Sequence, residues 1–200
     1  MRQTNCVQEV LKGRLTQQKR LANIRRNRGY SYEHALVQRL NDGDWIARRL
    51  GGSSTGLPDI LAVNNTQGIV LSIEAKCGTG DCLYVPAEQL RRCLLIRNMF
   101  EYYSEKHAIL AFKFMRKKRF RRKDGVIYES RKLNEYFKIA DKISESSCFP
   151  NVKCTYDGRI FAVNSGDQIK IKLRDFPMPF VRTQGMAIST SKHKLLQYAD

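Results

Sequence analysis

Two apolar, β-branched runs, Ile60-Leu61-Ala62-Val63 and Ile69-Val70-Leu71-Ser72-Ile73, flank the polar stretch Asn64-Asn65-Thr66-Gln67-Gly68. Such runs on either side of turn-forming residues predict a β-hairpin. Folding the strands back about Thr66 sets Asp59 opposite Ile73 or Glu74, according to register. Glu74 and Lys76 lie two apart and so share one face of the second strand. His107 to Met115 also reads as a strand, with Ala108, Leu110, Phe112 and Phe114 on one face. Trp45 to Leu50 is a shorter strand, and Leu83-Tyr84-Val85 a short extended piece. Helical spacing marks three other segments. Leu36, Val37 and Leu40 form a stripe on a helix capped by Ser31, with Glu33 on the same stripe. Pro86 suits the first position of a helix to about Tyr103, whose inner side carries Leu90, Cys93, Leu94, Arg97 and Glu101. Leu133, Phe137, Ala140 and Ile143 predict a third helix. Short strands follow from Ser146 to about Phe180, including Ile169 to Leu173, and the last twenty residues read as a polar tail. The mixture predicts an α/β protein.

Charge narrows the field. A formal charge of +17 and a pI near 9.9 on 200 residues point to a polyanionic partner, nucleic acid ahead of a membrane surface. No stretch approaches the roughly 18 apolar residues of a transmembrane helix. The N-terminal residues lead into no apolar signal region, so the expected location is intracellular, cytoplasmic or DNA-associated. Six cysteines are scattered without paired metal spacing and are expected to be reduced thiols. The basic residues concentrate in two places. Residues 1–28 hold eight basic side chains and one acid, among them Arg25, Arg26 and Arg28, with loosely helical apolar spacing. A basic helix or a partly disordered arm are both open there. Arg116, Lys117, Lys118, Arg119, Arg121, Arg122 and Lys123 surround Phe120, a signal for phosphate binding that a solvated β-turn would also give.

Chemistry enters with Asp59, Glu74 and Lys76, which converge at one end of an otherwise apolar hairpin. Two neighbouring carboxylates repel, and a hard divalent cation relieves the repulsion by taking oxygen ligands from both. A lysine alongside can orient a water or neutralise charge developing on a phosphate. Pro58-Asp59, with Glu74-Ala75-Lys76 fifteen positions on, reads as a metal-dependent phosphodiesterase site. An ion pair between Lys76 and one acid accounts for two of the charges and leaves the third unexplained. The hydroxyl-rich loop Gly51-Gly52-Ser53-Ser54-Thr55-Gly56 directly before Pro58 would let backbone and hydroxyl groups approach a phosphate. Gln89, near the start of its helix, could reach the site or lie on the surface.

The stretch from Gly29 to about Met115 resembles the archaeal-type Holliday junction resolvases, members of the restriction-endonuclease-like PD-(D/E)xK nuclease superfamily. Six elements carry the likeness in order: Tyr32-Glu33-His34-Ala35-Leu36, Ala47-Arg48-Arg49, Gly51-Gly52-Ser53-Ser54, Pro58-Asp59-Ile60, Ile73-Glu74-Ala75-Lys76 and Leu83-Tyr84-Val85. The resemblance implies a restriction-endonuclease-like core, a central mixed β-sheet flanked by helices. It implies Glu33, Asp59 and Glu74 as metal ligands, Lys76 as the catalytic lysine, and Ser53 or Ser54 as a phosphate or catalytic contact. On that basis residues 1–28 are a basic arm or helix, 29–143 a nuclease domain with its core at 29–115, and 144–200 a C-terminal extension. The basic residues already named, with Arg48 and Arg49, would face DNA.

The activity so implied is resolution of four-way DNA junctions by a homodimer that makes paired, magnesium-dependent cuts, with manganese able to substitute and no organic cofactor. A two-fold dimer suits a pseudo-two-fold substrate. A related nuclease acting on flaps or other branched DNA, or a DNA-binding protein on the same fold that does not cut, are the alternatives. A small basic ribosome-associated protein would explain the charge but not the buried acids.

Overall fold

The computed structural model describes residues 2–51, 56–122, 125–143 and 149–180. In chain order the elements are α1 (Arg2–Asn41), β1 (Ile46–Arg49), β2 (Ile60–Asn64), β3 (Ile69–Gly78), β4 (Cys82–Val85), α2 (Ala87–Asn98), β5 (Glu105–Phe114), β6 (Lys117–Arg122), β7 (Gly125–Ser130), β8 (Asn134–Ile139), β9 (Asn151–Thr155), β10 (Ile160–Asn164) and β11 (Asp167–Ile171). A five-stranded mixed sheet in the order β1-β2-β3-β5-β8 forms the centre. The predicted hairpin is its β2 and β3, paired antiparallel with Ile60 against Ile73. Asn64 secures the turn by accepting from the Gln67 N–H at 2.9 Å, and Gly68 completes it at φ +67°. A Cβ at Gly68 would lie 2.8 Å from Ser104 Oγ, so both backbone angle and space call for glycine there.

β3 then pairs in parallel with β5 over ten residues, Ile69 with Glu105 through Gly78 with Phe114. Parallel neighbours need a crossover, and β4 with α2 supplies it. Covered on both faces, β3 and β5 are apolar along most of their length, as buried parallel strands require. On one face α1 packs Tyr32, Leu36 and Leu40 against Ala47, Leu71, Ile73 and Ile109. On the other, Leu90, Cys93 and Leu94 of α2 meet Ala108, Leu110, Phe112 and Phe114. Each large side chain so buried contributes roughly 1.5–3 kcal/mol.

A second sheet, β11-β10-β9-β4, joins the α2 side. β4 pairs with β9, Cys82 against Thr155, and Val152, Cys154 and Ile160 enter the same core as Leu90. Met178 closes the other core beside Leu36. Residues beyond 144 are therefore built into both cores. β6 and β7 form a separate two-stranded hairpin, tied back where the Arg119 N–H donates to the Thr79 carbonyl at 3.2 Å.

Three expectations need correction. The helix carrying Glu33 does not start at Ser31; α1 is one helix through the basic N-terminal residues, and Ser31 Oγ donates back to the Asn27 carbonyl at 2.8 Å. α2 stops at Asn98, with Pro86 as its cap residue, so Glu101 lies beyond it. The basic run supplies strand β6. The third helix is absent: residues 134–139 form β8, antiparallel to β5. Its side chains alternate, Phe137 and Ile139 toward α1 and Tyr136 toward the α2 side. The polar tail lies outside the described residues.

Candidate active site

Asp59 enters the site immediately before β2. Its carbonyl accepts from the Leu50 N–H at 3.0 Å, which fixes the chain beside the end of β1. Its carboxylate Oδ2 accepts from the Ala75 N–H at 2.8 Å, so the hairpin partner strand holds the side chain as well. With Ile60 paired to Ile73, Asp59 falls opposite Glu74, which settles the register. Glu74 and Lys76 project from the same face of β3, and Lys76 Nζ donates to Glu74 Oε1 at 2.5 Å. Glu74 is only 2% exposed, while Lys76 keeps access to solvent. Burial, reinforced by the Asp59 charge, pushes the Glu74 carboxyl up to about 7 against the opposing pull of Lys76.

Glu33 reaches the region from α1, positioned by the buried Tyr32 and Leu36 on either side of it. Its carboxylate accepts from Arg49 Nε at 2.6 Å, and the guanidinium stacks 3.7 Å above the Tyr30 ring. Burial raises the Glu33 carboxyl above its ordinary range, Arg49 opposes the rise, and Asp59 adds to it. Among the described residues no three acidic, imidazole or thiol side chains are grouped closely enough to share a metal ion as they stand. Glu33 is held by Arg49, and Glu74 by Lys76. The donor chemistry of Asp59 and Glu74 nevertheless fits a hard divalent cation, since magnesium is commonly held by one or two carboxylates completed by phosphate and water.

The remaining candidates divide. Gln89 sits in the first turn of α2 with its side-chain oxygen buried and without a hydrogen-bond partner. Ser53 and Ser54 lie outside the described residues, as does Lys123. Arg49 is engaged by Glu33 and by the Tyr30 ring. Lys118 is also partly committed, to Asp81 at 2.7 Å and to the Phe120 ring. Arg25, Arg26, Arg48, Arg116 and Lys117 are exposed, and Arg28 and Arg119 half-buried. Sequence reasoning missed Tyr30 as the platform under Arg49; an aromatic three residues before a candidate acid on a helix was the available signal. It also missed the bidentate Arg39–Glu135 pair, 3.0 Å at both contacts, that ties α1 to β8.

The family described as archaeal Holliday junction resolvase (Hjc) matches residues 24–149, more than half of the chain. Among solved structures, the 1.6 Å structure of Archaeoglobus fulgidus Hjc, a Holliday junction resolvase from an archaeal hyperthermophile, is similar at 21% identity. That likeness covers 64% of this chain and 87% of that one, with a TM-score of 0.43. No curated protein matches. The matched span contains α1 from Ile24, the whole central sheet, and Glu33, Asp59, Glu74 and Lys76. The chain belongs to the archaeal Holliday junction resolvase family, endonucleases that resolve four-way DNA junctions.

Proposed function

We infer that the chain hydrolyses the phosphodiester backbone of four-way DNA junctions with a divalent cation, and does so as a homodimer. The observation that carries the reading is the convergence of Asp59, Glu74 and Lys76 at the paired ends of β2 and β3. Asp59 and Glu74 would hold the cation, and Glu33 would join them on leaving Arg49. Magnesium, or manganese in its place, supplies Lewis-acid polarisation of the phosphate and lowers the pKa of water.

The other steps belong to the chain itself. The Ala75 N–H keeps Asp59 pointed at the site through a strand-borne hydrogen bond, so its position costs no loop ordering. Lys76 holds Glu74 and presents an ammonium to the scissile phosphate, where it offsets developing negative charge and orients the attacking water. Ser53 or Ser54 would contact the phosphate, and Gln89 would line the same end of the sheet. The exposed arginines and lysines of α1 and β6 follow the backbone of the DNA arms and position without reading sequence. A dimer places two such sites on two opposed strands.

The test is cleavage of a labelled immobile four-way junction beside linear duplex, flap and single-stranded DNA, with and without magnesium, together with the mass of the protein in solution. Paired symmetric nicks confined to the junction and a dimeric mass are expected. Preference for a flap would move the reading to another branched substrate, and no cutting with any divalent cation would end it. Asp59→Asn is expected to lower cutting by at least about a thousandfold while junction affinity stays within about threefold, because a ligand is lost and no positive charge is. Parallel loss of binding would make Asp59 structural.

A further inference from the structure

Just past Lys76, on the α1 side of β3, lies a cleft of about 610 Å³ that the hydrolytic site does not use. Its walls come from α1, the β3–β4 turn, β4 and the β6–β7 hairpin. Two tyrosines line it, Tyr84 at 50% exposure and Tyr128 at 56%. Arg25, Arg28 and Arg119 line the same cleft, and among the described residues no acid does. Among the described residues none of the three arginines forms an ion pair. Arg119 and Tyr128 are direct cross-strand partners, so cation and ring are held side by side.

The backbone completes the picture. Gly78 and Gly80 leave the turn bare of side chains, and a Cβ at Gly78 would lie 2.6 Å from Leu83 Cδ2. The Arg119 N–H bond to the Thr79 carbonyl anchors the hairpin wall to that turn. Exposed aromatic faces, unpaired arginines and open backbone are what an unstacked base and its phosphate require. The volume falls in the range of small-ligand pockets.

We propose that this cleft receives a nucleotide unstacked at the branch point of the DNA, its base stacked on Tyr84 or Tyr128 and its phosphate held by Arg28 and Arg119. The inference rests on the chain acting on DNA and deepens that reading. Selection of branched over linear DNA then has a physical source. A base inside duplex must be unstacked before it can enter, whereas a base at a branch is already free of part of that cost.

The test uses the full chain in EDTA and a single-stranded thymidine oligonucleotide carrying one 2-aminopurine, with the same base buried in a duplex as comparison. Stacking quenches 2-aminopurine fluorescence. Quenching is expected for the single strand and not for the duplex. At least one of Tyr84→Ala and Tyr128→Ala is expected to reduce the quench at saturation and weaken binding by about tenfold. Tyr84→Phe and Tyr128→Phe should retain both, which separates stacking from any role of the hydroxyls, and melting temperatures identify a variant that fails to fold. Arg28→Gln should weaken binding and leave the saturated quench unchanged. Full quenching by both alanine variants, or equal quenching within duplex, overturns the proposal. Cutting of a four-way junction is scored separately: its absence with the quench intact removes the resolvase reading alone.

Discussion

Glu74 carries opposed demands. Its carboxyl is buried beside Asp59, and the pairing with Lys76 offsets only part of that penalty. Between its ordinary value of 4.5 and about 7 the folded protein keeps a proton that the unfolded chain releases. The folded state then binds more protons, so stability falls as pH rises through this window and stays reduced above it. At about 1.4 kcal/mol per pH unit the loss amounts to roughly 3–4 kcal/mol. Glu74→Gln removes the titration. In metal-free buffer the variant is expected to melt above the wild type at pH 8 and close to it at pH 4.5, while cutting is lost. A variant that melts lower at pH 8 would mean the Lys76 pairing outweighs the burial. Magnesium should raise the melting temperature of the wild type at pH 8 and leave that of the variant unchanged, since bound cation stabilises only the form that holds it. The chemistry of Asp59, Glu74 and Lys76 was legible in the sequence because turn and strand spacing alone bring them together. The Arg49–Glu33 pair was not, because it joins a helix and a strand whose meeting depends on the packing of the whole α1 face.

At the scale of elements, periodicity found the β2–β3 hairpin and β5, and failed where pairing with another strand overrode a helical spacing. β2 and β3 are joined by a short turn, so alternation and turn residues sufficed. Leu133, Phe137, Ala140 and Ile143 fall at helical spacing, yet pairing with β5 decides the segment's state. In β8 the even positions do their own work: Lys138 is nearly buried and reaches Asp175 at 2.7 Å. α1 shows a complementary error. Ser31 has the side chain of an N-cap, yet α1 runs straight through it. Gly29 in fact lies inside the helix with an ordinary backbone angle, and a Cβ there would meet nothing closer than Glu33 Oε1 at 3.9 Å. Gly29→Ala is therefore expected to stabilise the protein by roughly 0.5–1 kcal/mol, read as a higher melting temperature, through helix propensity alone. A fall would show that the helix must bend at this point.

For the molecule as a whole, charge and topology set different limits. With +17 net charge, affinity for any DNA should fall steeply with salt. Lys117→Gln is expected to reduce the slope of log affinity against log salt on duplex by about 0.9, one phosphate contact, whereas Arg49→Gln should change it little because Arg49 faces Glu33. Topology makes the C-terminal third part of the core. A chain ended at residue 149 loses Val152, Cys154 and Ile160 from one core and Met178 from the other. At roughly 1.5–3 kcal/mol each, these side chains together rival the 5–15 kcal/mol that usually separates a folded domain from its unfolded chain. Such a truncation is expected to show no cooperative melt by circular dichroism.

The pairing of β4 with β9 also imposes a schedule. Cys82 waits for Thr155, and at a synthesis rate of about 5–20 residues per second the wait lasts roughly 4–15 s. Throughout it the edge of the strand that follows β3 has no partner, and Val85 no cover from Val152. Newly made chains should thus acquire nuclease activity abruptly and late, once synthesis has passed β10, and a ribosome stalled before residue 150 should carry a chain that chaperones bind and DNA does not yet have to fear.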